Sequence, residues 1–221
     1  MQSKQTSLRM DSLFRSYLVE GAEYAGDWEI PVLHGSDLIP NRIIPFSEAI
    51  QGKDYDAWVA FYEYDEKFLR IWRSPKKYLP ILKRFRGVIS PDFSLYRSMP
   101  VVMQAWMTYI SRALACWWEK NGIEVIPNVR FADKSSYPFV FSGIRQHAIV
   151  SVGTHGCWKC KEDRYYFKIG FQKMIEALQP KCVIVYGKAP DSFFRPFRMH
   201  GIEIIRFASQ SELFYAGKAG A

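Results

Sequence analysis

Two residues with the chemistry of proton transfer each follow a buried apolar run. Asp92 comes directly after the run GVISP, and His155 comes after AIVSVGT. A carboxylate and an imidazole can exchange protons with a substrate near neutral pH. We therefore treat Asp92 and His155 as candidate catalytic residues of a hydrolytic enzyme. A structural role stays open for both, since aspartate often closes an Asx turn and most single loop histidines do no chemistry.

A second set of polar residues at the ends of such runs has ligand-binding chemistry. It combines hydroxyl, amide and basic side chains, and the basic ones suit phosphate or carboxylate. A solvated or salt-bridged role is the alternative for the basic members. The candidate ligand-binding residues are Ser90, Ser94, Asn128, Arg130, Thr154 and Lys188.

A basic stretch interleaved with aromatic residues could contact nucleic acid. Such a mixture can follow a phosphate backbone and stack on bases, although a helix with a merely solvated charged face has the same pattern. The net charge of +8 and pI of about 9.3 favour a polyanionic partner, either nucleic acid or a phosphorylated small molecule. The candidate nucleic-acid-binding residues are Lys76, Lys77, Lys83, Arg84 and Arg86.

The cysteines do not predict a metal or cofactor site. Cys157 and Cys160 form a CxxC, a spacing that can bind zinc or form a redox pair. There is no second CxxC, and the nearest histidines do not match a zinc pattern. Incidental thiols are therefore favoured, with the role of the pair left open. Neither GxxxxGK[ST] nor GxGxxG occurs.

The cysteine usage and hydropathy predict a cytoplasmic protein without a membrane span. Four cysteines, two of them in apolar runs, do not resemble a secreted disulfide framework. The N-terminus lacks an apolar signal core. The most apolar stretch, residues 101–118, is interrupted by polar side chains.

Short apolar runs that alternate with amphipathic helices predict an α/β fold. The pattern favours a mostly parallel sheet of about six to eight strands with helices on both faces. An open doubly wound sheet is favoured over a small (β/α) barrel, because the N-terminal units are short. Ser47 is expected to cap a helix, and two prolines predict a helix joint near Ser74. Ligand sites in such folds lie beyond the carboxyl ends of the strands, where the polar residues above occur.

The domain organisation predicted from composition is simple. Residues 1–29 are polar and mixed and are expected to form an N-terminal arm, with a short helix over Ser7 to Leu18. Residues 30–221 are expected to form one α/β domain.

Several segments resemble the uncharacterised family called domain of unknown function 4417. They are NRIIPFSEAI, DYDAWVAFYEYDEKFLRIWRSPKKYL, GVISPDFSLYRSMPVVMQAWMTYISR, GIEVIPNVRFAD and VSVGTHG. The resemblance covers roughly residues 30–207, and SPDFSLY before MP and a tryptophan-rich helix is its most specific part. It implies a protein of bacteria, archaea, phages and plasmids, often carried by mobile elements, with no established activity.

Three hypotheses of function follow from these patterns. The leading one is a mobile-element accessory protein that binds a phosphate-bearing ligand, nucleic acid or nucleotide, at the strand-end face. The second is the hydrolytic enzyme that uses Asp92 and His155. The third is a protein-interaction module that acts on a host factor. The sequence leaves open whether the protein is an enzyme, and also its oligomeric state.

Overall fold

The computed structural model of the chain describes residues 14–219. Most of the helix expected over Ser7 to Leu18 lies outside this range. Within it, Ser16–Val19 forms one turn of 3-10 helix, and Leu18 is fully buried in the largest apolar cluster. The boundary of the arm at residue 29 stays a prediction.

Seven of the strands run parallel and follow one another in chain order. Four of them form one hydrogen-bonded sheet and three form another, and a separate antiparallel pair precedes them. The pair is β1 (Tyr24–Ala25) and β2 (Ile30–Pro31); the larger sheet is β3 (Ile43–Pro45), β4 (Trp58–Ala60), β5 (Gly87–Ile89) and β6 (Val125–Ile126); the smaller is β7 (Ile149–Gly153), β8 (Cys182–Tyr186) and β9 (Glu203–Phe207).

The two parallel sheets meet through residues just after β6. The Ser151 amide donates to the Pro127 carbonyl, and the Val129 amide donates to the Ser151 carbonyl, both at 2.8 Å. The strands therefore continue from β3 to β9, while β3 and β9 do not pair with each other. The prediction of an open, mostly parallel sheet in an α/β fold is confirmed.

The helices connect successive strands, and the proline joint is confirmed at Ser74. One helix ends at Arg73 and the next begins at Pro75, whose missing N–H is tolerated in a first helical turn. The helices are α1 (Phe46–Ala49), α2 (Asp65–Phe68), α3 (Arg70–Arg73), α4 (Pro75–Leu82), α5 (Val101–Lys120), α6 (Tyr137–Val140), α7 (Lys161–Leu178), α8 (Asp191–Met199) and α9 (Gln210–Ala219).

The capping role predicted for Ser47 is wrong. Helix α1 already begins at Phe46, so Ser47 lies inside it. The Ser47 hydroxyl and amide donate instead to the Glu63 carboxylate at 2.6 and 2.9 Å. Ser47 therefore bonds to a carboxylate that follows strand β4 rather than to the backbone of its own helix.

The two faces of the parallel sheet are covered differently. On one face, strand residues pack with helices, as where Phe61 stacks on Trp118 of α5 at 5.7 Å. Alternate residues point to the other face, where side chains from β3 to β9 pack on one another. The sheet is therefore curved, and its carboxyl ends gather around one centre. The cluster on this inner face contains Ile43, Trp58, Ala60, Tyr62, Ile89, Ile126, Ile149, Cys182, Ile184, Ile205 and Phe207.

Candidate functional site

Asn128 is the centre of a polar network where the strands end, which we call the strand-end cluster. Its side-chain amide donates to Asp92 Oδ1 at 2.8 Å, and its Oδ1 accepts from the Tyr62 hydroxyl at 3.0 Å. Its backbone amide donates to Ser90 Oγ at 2.8 Å. The curvature of the sheet brings these residues together from three different strand ends. The strand-end cluster comprises Tyr62, Ser90, Asp92, Asn128, Arg130 and Ser151.

Asp92 and Arg130 form a partly shielded ion pair in this cluster. Arg130 Nη1 lies 3.5 Å from Asp92 Oδ2, and the two side chains are 24% and 11% exposed. Asp92 is the main cause of a raised pKa of Arg130. The charge of Asp92 raises the pKa of Asp65, and the charge of Arg130 lowers it. The Asp65 carboxylate accepts hydrogen bonds from the Ser94 amide and hydroxyl. Burial is the main cause of the raised pKa of Asp65.

Tyr62 forms the inner wall of the cluster, and the sequence reasoning missed it. Its hydroxyl lies 2.5 Å from Ser151 Oγ, and its ring stacks on Tyr186 with 4.6 Å between centroids. A Cβ on Gly153 would lie 2.8 Å from the Tyr62 ring, so a larger residue there would displace it. Burial raises the pKa of Tyr62 well above its ordinary value. The sequence does carry a signal for Tyr62. It lies four residues after Trp58, and alternate residues of a strand point to the same face of the sheet.

The other predicted ligand-binding residues lie near the cluster without joining it. Ser94 is bonded to Asp65, and Thr154 Oγ1 donates to the Tyr186 carbonyl at 3.2 Å. His155 and Lys188 are exposed. Within residues 14–219, neither of their side chains forms a hydrogen bond or an ion pair with the cluster. The structure thus assembles Ser90, Asp92, Asn128 and Arg130. It leaves His155, the proposed catalytic partner of Asp92, outside the network.

The two CxxC thiols have different surroundings, and both are free. Cys157 is half-buried, and burial raises its pKa to about 11, against the opposing effect of Arg130. Cys160 caps helix α7, with its Sγ accepting from the Asp163 amide at 3.4 Å. In the part of the chain that the structure describes, no group of three or more His, Cys, Asp or Glu side chains could hold a metal ion.

We call the five predicted nucleic-acid-binding residues the basic face, and within residues 14–219 none of them forms a hydrogen bond or an ion pair with the strand-end cluster: Lys76, Lys77, Lys83, Arg84 and Arg86. All five are exposed. Helix α4 turns Pro75, Tyr78 and Leu82 inward, so its lysines point outward.

Aromatic rings and one acid orient part of the basic face. The Lys76 ammonium lies 4.5 Å from the centre of the Tyr17 ring, and the Arg84 guanidinium lies 4.0 Å from that of Tyr55. Arg86 Nε lies 3.6 Å from Asp56. Cations over rings keep their charge in water while their stems pack on apolar surface.

The positive net charge of the chain falls in the sequence segment that carries the basic face. The segment of residues 67–91 holds eight lysines and arginines and no acidic residue. The 22 basic residues outside it equal the 22 acidic residues of the chain, so the whole net charge of +8 corresponds to this segment. The sequence carries this signal directly, as a run of 25 residues without a carboxylate.

The comparison with known proteins identifies the family. The sequence model described as "Domain of unknown function (DUF4417)" matches residues 22–208. The chain belongs to the DUF4417 family. The match agrees with the resemblance predicted over residues 30–207, and it includes both the strand-end cluster and the basic face.

The curated relatives of this DUF4417 chain are phage proteins. The Gene 1 protein of Mycobacterium phage L5 is 31% identical over 170 residues, which is 75% of this chain and 74% of the relative. The Gene 1 protein of Mycobacterium phage D29 is 30% identical over 165 residues, which is 73% of this chain and 61% of the relative. No solved structure matches the chain. Among residues 14–219, no helix is long and apolar enough to cross a membrane.

Proposed function

We propose that this protein is a phage-type accessory protein that binds nucleic acid through the basic face. The observation that carries the proposal is the concentration of the net charge in residues 67–91. A protein that neutralises phosphates with lysine and arginine gains affinity by releasing counterions, without reading sequence. Exposed cations from one segment without acidic residues suit that role better than cations interspersed with carboxylates.

The strand-end cluster is less suited to a polyanion. Its only arginine, Arg130, already faces Asp92, and Asp65 adds a second carboxylate close by. Lys188 is exposed, and within residues 14–219 it forms no hydrogen bond or ion pair with these residues. We therefore move the phosphate contacts of the leading hypothesis from the strand ends to the basic face.

A charge reversal on the basic face tests the proposal. We expect Lys83→Glu to weaken binding to a labelled single-stranded DNA or RNA oligonucleotide by about threefold or more, measured by fluorescence anisotropy at low salt. Lys83 is exposed and has no ion pair within the described residues.

The matched control is Lys134→Glu. Lys134 is also exposed, forms no ion pair within residues 14–219, and lies outside the basic segment. Both variants change the net charge equally, so equal affinities for the two would show that only total charge matters and would contradict a specific face.

Hydrolysis at the strand-end cluster is the second candidate function. Its support is the grouping of Asp65, Asp92 and Arg130 where α/β enzymes hold their substrates. We expect Asp92→Asn to abolish any hydrolysis of nucleic acid or nucleoside triphosphate by the purified protein. Activity that survives in this variant excludes Asp92 as the base or metal ligand.

A further inference from the structure

A half-open cleft lies at the seam where the sheet does not close. Strands β3 and β9 are the two edges of the open sheet. The cleft is lined by β3 and helix α1 from the first edge, and by Ala208, which follows β9, and helix α9 from the last. Its volume is about 730 Å³, within the range of about 300–1,000 Å³ that small-molecule sites occupy. The open seam therefore leaves room for a ligand the size of a nucleoside.

Three aromatic residues belong to the lining of this cleft: Tyr186, Phe214 and Tyr215. Tyr186 ends β8 and is buried, with its ring stacked on that of Tyr62. Phe214 and Tyr215 lie in α9 and are 57% and 69% exposed, and their ring centres are 5.6 Å apart. Aromatic rings that are accessible to solvent are the surfaces on which nucleobases stack.

Glu48 of α1 and Gln210 of α9 give the cleft a polar edge. Both residues line it, and both are exposed. Gln210 Nε2 lies 3.5 Å from Glu48 Oε2, longer than the distance of about 2.9 Å that is typical of a hydrogen bond, so both groups keep capacity for a ligand. A carboxylate accepts from the exocyclic amino group of a base, and a side-chain amide both donates to and accepts from a base edge. This pair therefore favours a base with an amino group over a base whose edge carries carbonyl oxygens.

Exposed residues connect the cleft with the basic face. Arg86 of the basic face pairs with Asp56, and the Asn41 amide donates to the same carboxylate at 3.2 Å. The next residue in the chain, Arg42, lines the cleft. All four of these residues are exposed. A base of a strand bound at the basic face is therefore one source of the ligand, and a free nucleoside is the other.

We propose that this cleft binds a nucleobase that carries an exocyclic amino group, as adenine and cytosine do. The base stacks on the aromatic residues of α9, and its amino group donates to the Glu48 carboxylate. The inference goes beyond the proposed function, which concerns phosphate contacts at the basic face. Only the strand as a source of the base rests on that function.

Ligand-observed NMR titrations with adenosine and uridine test the cleft in the wild-type protein. Adenosine carries no phosphate, so its binding does not depend on the cations of the basic face, and each proposal can fail without the other. We expect adenosine to bind with at least about fivefold higher affinity than uridine, which presents carbonyl oxygens instead of the amino group. Absence of adenosine binding, or equal affinities for the two nucleosides, overturns the proposal.

Removal of the two exposed rings provides the second test. The double variant Phe214→Ala, Tyr215→Ala is expected to weaken adenosine binding by about fivefold or more. Alanine has the highest helix propensity, so the change preserves the tendency of α9 to be helical. The control, Tyr165→Ala, removes an exposed ring of α7 and is expected to leave the affinity unchanged. An unaltered affinity in the double variant, or an equal loss in the control, contradicts the site.

A single-stranded oligoadenylate distinguishes the two sources of the base. If the double variant also binds this strand more weakly than the wild type does at the same salt concentration, a base of the bound strand occupies the cleft. If strand binding is unchanged or absent while adenosine binding is lost, the ligand is the free nucleoside.

Discussion

At the scale of single residues, the strand-end cluster depends on a tyrosine at the inner face of the sheet. The Tyr62 hydroxyl bonds to both Asn128, which follows β6, and Ser151, which lies in the middle of β7. The sequence predicted the positions of Asn128 and its partner Asp92, because polar residues after apolar runs are visible locally. It could not predict the bonds of Tyr62, since they depend on how strongly the sheet curves.

Removing the Tyr62 hydroxyl should therefore destabilise the fold. We expect Tyr62→Phe to lower the free energy of unfolding by about 1–3 kcal/mol, because it keeps the stacked ring but leaves buried partners without their hydrogen bond. Urea denaturation measures the loss. Tyr165→Phe, at a residue that is 59% exposed, is the control and is expected to change stability by at most about 0.5 kcal/mol. Equal effects in the two variants would contradict the role of the network.

The half-buried carboxylate of Asp65 predicts a particular pH dependence of stability. Burial raises the pKa of Asp65 in the folded protein above the ordinary 3.8, so its ionised form opposes folding at neutral pH. As the pH falls through the folded pKa, the folded state takes up a proton first and this cost disappears.

Asp65→Asn lacks that titration. We expect the free energy of unfolding of Asp65→Asn minus that of the wild type to be largest at neutral pH. This difference should decline as the pH falls towards 4. Chemical denaturation at a series of pH values measures the difference. A difference that is independent of pH, or that increases on acidification, would exclude the raised pKa.

At the scale of elements, helix α7 shows where a local rule and tertiary packing oppose each other. The three- and four-residue spacing of Phe167, Phe171 and Met174 is typical of an amphipathic helix, and all three are buried. Gly170 lies within that helix, where alanine is intrinsically preferred by about 1 kcal/mol. A Cβ at Gly170 would lie 2.2 Å from Cδ2 of the Phe131 ring. The packing should therefore dominate.

We expect Gly170→Ala to destabilise the protein by about 1–3 kcal/mol despite its better helix propensity. Gln172→Ala, an exposed change on the same helix, is expected to be close to neutral. Thermal unfolding followed by circular dichroism compares them. A Gly170→Ala protein more stable than the wild type would show that Phe131 moves aside without cost.

At the scale of the whole molecule, the alternation of strands and helices predicted an open parallel α/β sheet, and the structure agrees. Its curvature was not predictable from that alternation, because the inner-face cluster joins residues as distant in sequence as Ile43 and Phe207. The charge asymmetry was available from the sequence, since residues 67–91 contain no acid. What the sequence could not provide is that the strand-end cluster forms its hydrogen bonds without any residue of the basic face.

The salt dependence of nucleic-acid binding tests the central proposal most directly. If the five cations of the basic face each contact a phosphate, the logarithm of the association constant should fall against the logarithm of salt concentration with a slope of roughly −3 to −5. Anisotropy titrations of the wild type with single-stranded and duplex oligonucleotides at several salt concentrations measure this slope. Absence of binding at low salt, or a slope near zero, would contradict the account.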